Sequence, residues 1–312
     1  MILERIDDIQ PLLPTIDASR PSVPVPLVTP LFGTIEQGNR NPHTFAVLDG
    51  ASVKNLPDLL SASGLEHACL FKNKAAEALR DVAPWLVKLE RESRFTTRLF
   101  TAGDAPWHLW GKIRGTFLRS EASCSELSGH LRKFTRLPDE QGKWYYFRYW
   151  DQATMAVVLR NPDQPLSARF LAPLSGVIAV AGRDRTALHM QHDSSQIQPG
   201  NDRILLTQSF RELLQVASAD RFDERLRQYL SRNDAKFARL SPDTQRSETM
   251  HAVAAAQFYG LRIEAALARF ARIYISAPKN FIATRSVQDI LTSPRHELDR
   301  VNDLARHLRI IM

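Results

Sequence analysis

Cysteine is nearly absent from this 312-residue chain: Cys69 and Cys124 are the only two. A disulfide between them is possible on paper, but two thiols left reduced are the favoured reading, and without a CxxC or zinc-ligand spacing no cysteine metal site is expected. Long hydrophobic runs are also missing. No window approaches the ~20 consecutive apolar residues that span a bilayer, so the chain does not read as membrane-embedded. The opening MILERIDDIQ carries Asp7 and Asp8 and lacks a basic stretch followed by an apolar one. It therefore does not read as a secretory signal, and a cytoplasmic location is the default expectation. Nucleophile elbows, phosphate loops, dinucleotide fingerprints and zinc-protease helices are all missing, which weakens an enzymatic reading and leaves no cofactor to expect. There is no internal repeat and no low-complexity tract.

What is present is ordinary in bulk, with 44% hydrophobic and 24% charged residues. The formal net charge of +7 invites a nucleic-acid reading, so its distribution matters. From Gly200 onward there are 18 Lys+Arg against 13 Asp+Glu, and before it 23 against 21, so the excess is mild and lies mainly in the second part. Signs are interleaved there, as in Arg221-Phe222-Asp223-Glu224-Arg225, the pattern of a solvated helix face. A one-signed stripe for DNA is missing, and nucleic acid is not the expected partner.

At this length two lobes are expected, because single cores usually stop growing near roughly 150 to 250 residues. Residues 1–42 hold seven of the eighteen prolines, which predicts an extended arm with little helix, laid on the first lobe. From Phe45 to Leu89, short apolar runs alternate with turn signals. Phe45-Ala46-Val47-Leu48 ends at Asp49-Gly50; Pro57 opens a helix that Ser63-Gly64 closes; Cys69-Leu70-Phe71 follows. Ala75–Arg80 reads as a short helix and Trp85–Leu89 as a third strand, giving an α/β layer. Ser93 caps a helix to about Ala102, Gly115–Ser120 is a strand, and a helix runs from about Ser123 to Phe134. Lys143–Trp150 is a strongly β-forming run, Gln152–Arg160 a helix, and Val177–Ala181 and Thr186–Met190 two strands. The polar 191–202, QHDSSQIQPGND, marks the linker. Beyond it the spacing is helical to the end, interrupted at Gly260, with Ser293-Pro294 as N-cap and first residue of a last helix. The expected architecture is an α/β amino-terminal lobe, a mixed sheet with covering helices, over 43–195, plus an all-α carboxy-terminal lobe over 203–312.

Three constellations can carry chemistry. His189, His192 and Asp193 form H-x-x-H-D at a strand end, where alternation sends the two imidazoles to opposite faces, so no metal site is expected. Trp107-His108-Leu109-Trp110 is an aromatic cluster beside a loop that either binds a ligand or closes the edge of the core. In Lys143–Trp150, alternation puts Trp144, Tyr146, Arg148 and Trp150 on one face and Tyr145, Phe147 and Tyr149 on the other. Aromatics with arginine fit an RNA-recognition sheet superficially, but the second aromatic strand and the Gly-rich signature are missing. Arg148 and Asp151 read either as an ion pair or turn cap, or as contacts to a partner.

The order FAVLDGA, LPDLL, LEHACLF, DVAPWLVKL, GTFLRS, SELSGHLRKF and RYWD, over about residues 43–190, resembles the amino-terminal lobe of the type VI secretion effector adaptors. These are chaperones that load toxic effectors onto the VgrG spike. AAQFYGLRIEAALARFARIYI, Gln288-Asp289-Ile290-Leu291 and the closing Arg- and Leu-rich helix are similar to the family's helical lobe. The family's RFYDP-like element stands here as Arg148-Tyr149-Trp150-Asp151-Gln152, with the proline replaced. The resemblance implies a non-enzymatic role: holding a cognate effector, often by its amino-terminal or PAAR-linked region, and presenting it to VgrG. A holder of apolar effector segments needs an aromatic or aliphatic surface. Trp107, Trp110, Trp144, Arg148, Trp150 and Asp151 are the candidate partner-binding residues, with exposed aromatics expected near Trp107, Trp110 and Trp150. The alternatives are a nucleic-acid-binding protein or an uncatalogued hydrolase.

Overall fold

The structure, a computed structural model, describes residues 1–14, 22–34, 41–112, 115–181, 185–191 and 203–310. The chain divides into two compact units, Met1–Gln215 and Val216–Met312. Of the segment read as a linker, Gln191 ends a strand and 192–202 lie outside the described residues.

The first unit is built on β2 (His43–Asp49), buried at every position after His43. A strand covered on both faces is uniformly apolar rather than alternating, which is why FAVL reads as a run. On one side β2 pairs with β4 (Pro84–Leu89), so that Phe45 faces Lys88; on the other it pairs with β5 (Gly115–Ser120), so that Phe45 faces Leu118. The sheet is extended by β3 (His67–Cys69) beyond β4, and by β8 (Gly176–Ala181), β9 (Thr186–Gln191) and β1 (Ile2–Ile6) beyond β5. Among the described residues it has seven strands in the order β1-β9-β8-β5-β2-β4-β3.

A mixed sheet was expected; every register in this one is antiparallel. The strand–helix–strand rhythm behind that expectation is real: β2 leads through α2 (Leu56–Ser63) to β3. However, β4 returns into the place between them, so two strands of like direction never touch.

The proline-rich arm also departs from expectation. Its start forms β1, and Val25–Phe32 form a helix, α1, where little helix was expected. Pro26 stands in the first turn, where a missing N–H costs nothing, and Leu27 and Leu31, one turn apart, are both fully buried. Tertiary burial thus outweighs the internal Pro30.

The remaining helices of this unit are α3 (Asn73–Ala78), α4 (Arg94–Phe100), α5 (Cys124–Leu131), α6 (Gln152–Arg160) and α7 (Pro165–Leu171). Ser93 caps α4 through the Phe95 N–H at 3.2 Å, and Ser123 with Glu126 forms a capping box on α5. A 3-10 turn, Arg132–Phe134, follows α5 and leads into a separate hairpin, β6 (Arg136–Pro138) with β7 (Trp144–Tyr146).

The helix α8 (Gln208–Asn233) begins in the first unit and continues in the second. The second unit then runs through α9 (Ala235–Ala238), α10 (Pro242–Phe258), α11 (Glu264–Ser276), α12 (Arg285–Leu291) and α13 (Glu297–His307). Gly260 takes φ +73° and breaks α10 from α11, where the sequence placed the interruption. The last helix starts later than Ser293-Pro294 indicated. Ser293 closes α12 by bonding Ile290, and His296 caps α13. Phe270, Ile273, Val287, Leu291, Val301 and Leu304 form the core of this unit. No helix among the described residues is long and apolar enough to cross a membrane.

Candidate partner-binding surface

The aromatic run Lys143–Trp150 is not one strand. Only Trp144–Tyr146 pair, in the register Arg136↔Tyr146, Leu137↔Tyr145 and Pro138↔Trp144. Strict alternation fails after Tyr146 because Phe147, Tyr149 and Trp150 are all buried, which a flat half-exposed strand does not allow. The chain turns instead, with Asp151 N–H donating to Arg148 C=O at 2.8 Å. Trp150, expected among the exposed aromatics, is 4% exposed and packs edge-on against Tyr149. Tyr149 is enclosed, its hydroxyl donating to Leu131 C=O at 3.2 Å, and burial pushes its phenol well above the usual range.

Arg148 reaches Asp49 at the end of β2, Nη2 to Oδ2 at 2.8 Å, while its guanidinium lies 5.9 Å from the Trp150 ring centre. Asp49 is 2% exposed and also accepts from Ser52 Oγ at 3.0 Å and Ala51 N–H at 3.1 Å. Asp151 caps α6 by accepting the Ala153 N–H at 3.0 Å, which is the cap the sequence offered as one option. This segment therefore ties the end of β2, the hairpin and α6 together.

The outward face of the hairpin is different. Trp144 is 53% and Tyr146 61% exposed, and the Arg136 guanidinium lies 5.5 Å from the first ring and 5.6 Å from the second. Phe71 extends the row, its ring 6.3 Å from Tyr146. The opposite face is locked down. Leu137 is buried, and Tyr145 lies 5.4 Å from the Arg211 guanidinium of α8. Arg211 also bonds Tyr145 Oη at 3.1 Å, Asp139 Oδ2 at 3.3 Å and Glu140 Oε2 at 3.4 Å. Burial acts to raise the Asp139 carboxyl, but the N–H groups of Lys143 and Gln141, Tyr145 and Arg211 together hold it below the usual range. Glu140 is likewise held low, chiefly by backbone N–H groups that include Gln208 at the start of α8.

Trp107 and Trp110 stand in the loop after α4. Trp107 is 45% exposed, with Arg98 5.6 Å from its ring, whereas Trp110 packs half-buried against the core and donates its backbone N–H to Thr101. His108 fits beside Gly103 only because the glycine carries no Cβ, which would lie 2.3 Å from the imidazole Nδ1. Among the described residues no ring contact, hydrogen bond or ion pair joins this loop to the hairpin.

Of the H-x-x-H-D residues, His189 bonds Glu4 at 2.7 Å, and His192 and Asp193 lie outside the described residues. Cys69 is half-buried and Cys124 buried, and both are free thiols. Burial pushes both thiols up, Cys124 to about 11. Sequence reasoning missed Arg136 and Arg211, because each reaches the aromatic run through pairing that local spacing does not encode.

Residues 44–168, from β2 into α7, match the family described as "Domain of unknown function (DUF4123)". No curated protein and no solved structure matches the chain.

Proposed function

We propose that the chain is a non-enzymatic adaptor that binds a cognate type VI secretion effector, by its amino-terminal or PAAR-linked region, and loads it onto the VgrG spike. The observation that carries the reading is the match of residues 44–168 to DUF4123, a family associated with type VI secretion effector adaptors. The exposed rings of Trp107, Trp144 and Tyr146 support it, since an adaptor must cover apolar effector surface with its own. Holding the effector before secretion is a task for the cytoplasm and needs no turnover.

The test is co-purification of the tagged chain with the product of each neighbouring gene. A stoichiometric complex with a toxin, and delivery of that toxin to a co-expressed VgrG, is the expected result. A chain that captures none of them, but hydrolyses a substrate or binds nucleic acid with a steep salt dependence, would sink the proposal. Within the complex, Trp107→Ala is expected to weaken capture about tenfold, as loss of an exposed aromatic anchor does. Trp110→Ala is expected to act through stability instead, because that ring packs on the core.

A further inference from the structure

We infer that the outward face of the β6–β7 hairpin receives a carboxylate-bearing apolar segment of a partner protein, with Arg136 as the carboxylate's contact and Trp144 and Tyr146 as the apolar walls. This deepens the adaptor reading by naming the chemistry of what is held, and its identification of the partner rests on that reading.

Arg136 is exposed and lies against two exposed rings, yet among the described residues it meets no carboxylate and donates no hydrogen bond. Attraction to the ring faces uses none of its five N–H donors, so a planar fork suited to a carboxylate is left ready. The acids of the hairpin loop and of the segments tied to it have partners of their own: Asp139 and Glu140 pair with Arg211, Asp49 with Arg148, and Asp151 caps α6. The unmatched Arg136 guanidinium leaves a positive charge between the two rings, which complements a negative segment.

The backing is rigid as well. Tyr145 and Leu137 are fixed on the other side, so the outward rings are held in place before a partner arrives. Tryptophan, tyrosine and arginine are also the residues that dominate protein interfaces. A stacked nucleic-acid base would suit the same rings, but a strand of phosphates needs a track of cations. Here Lys143 is turned to Tyr145, 5.2 Å away on the other face, and Arg148 is paired.

The experiment titrates the full chain into a labelled peptide of repeating Glu-Pro-Leu, its Gln-Pro-Leu and Lys-Pro-Leu counterparts, and an oligothymidylate, read by fluorescence anisotropy. The glutamate peptide is expected to bind about tenfold or more tighter than either counterpart, with Arg136→Gln and Trp144→Ala each losing about tenfold. Arg136→Lys, which keeps the charge but not the fork, should fall between. Both side chains are exposed, so the thermal melt of each variant should match that of the parent chain. Equal binding of all three peptides, no binding of any, indifference to Arg136→Gln, or preference for the oligothymidylate overturns the inference. A co-purifying toxin complex that survives Arg136→Gln removes this surface and leaves the adaptor; binding of the acidic peptide without capture of any neighbouring product does the reverse.

Discussion

Asp49 is a carboxylate almost without solvent, held by Arg148, Ser52 and the Ala51 N–H. Removing Arg148 leaves two of those donors in place, and the guanidinium is itself half exposed, so Arg148→Ala is expected to cost about 1–2 kcal/mol. Asp49→Ala strips all three bonds and is expected to cost about 2–3 kcal/mol. Urea midpoints of the two variants and of the double variant measure this, and full additivity would mean the pair does not act as one. His130 offers a second residue-scale test. Burial between Phe134 and Phe170 lowers its imidazole below the ordinary value, while Phe170 C=O bonds Nε2 at 3.0 Å. The unfolded chain therefore takes up the proton first. The stability His130 contributes is fully present above the ordinary imidazole value of about 6.5 and is lost as pH falls from there through the lowered folded value. The urea midpoint should drop between neutral pH and pH 5 in the parent chain and drop less in His130→Gln; equal slopes would refute the assignment.

Elements were legible where one face of a segment decides its fate. The run Phe45–Leu48, the helix from Gln152 to Arg160 and the break at Gly260 all stand where spacing put them, because burial, capping and positive φ are local demands. Elements were illegible where a distant partner decides. Lys143–Trp150 has the composition of a long strand, yet three buried rings in its second half pull it out of register. The same logic explains the candidate surface. Trp144 and Tyr146 share a face as alternation requires, but Trp150 is claimed by the core, and Arg136 enters only through cross-strand pairing. The loop between β6 and β7 depends on Asp139, which accepts from Gln141 N–H at 3.0 Å and Lys143 N–H at 2.8 Å. Since its carboxyl is held low, these bonds are fully present above the ordinary aspartate value of about 3.9 and are lost only as pH falls through the depressed one. Asp139→Ala should speed hydrogen exchange at Gln141 and Lys143 at neutral pH while leaving β2 protected. Unchanged exchange at those two amides would show that the loop stands without the carboxylate.

For the whole molecule the decisive quantity is the charge of +7, carried mainly from Gly200 onward. Many acids of the helical unit are already matched: Arg225 holds Glu264, Arg227 lies against Asp223 and Glu224, and Arg295 and Arg306 share Asp303. Such surface pairs add little stability, but they leave the remaining cations as the net field that an approaching partner meets. A field of this kind accelerates encounter, whereas residence time is set by desolvated contacts such as those expected at Trp144 and Tyr146. Raising salt from about 0.05 to about 0.5 M, which shortens the screening length to a few ångströms, should therefore slow association with an acidic partner about tenfold. Dissociation should change far less. Stopped-flow measurement of both rates across that range separates the contributions. An association rate indifferent to salt would mean that the charge serves only the chain's own surface, and a dissociation rate that moves in step with it would mean that ion pairs, not aromatic walls, hold the complex.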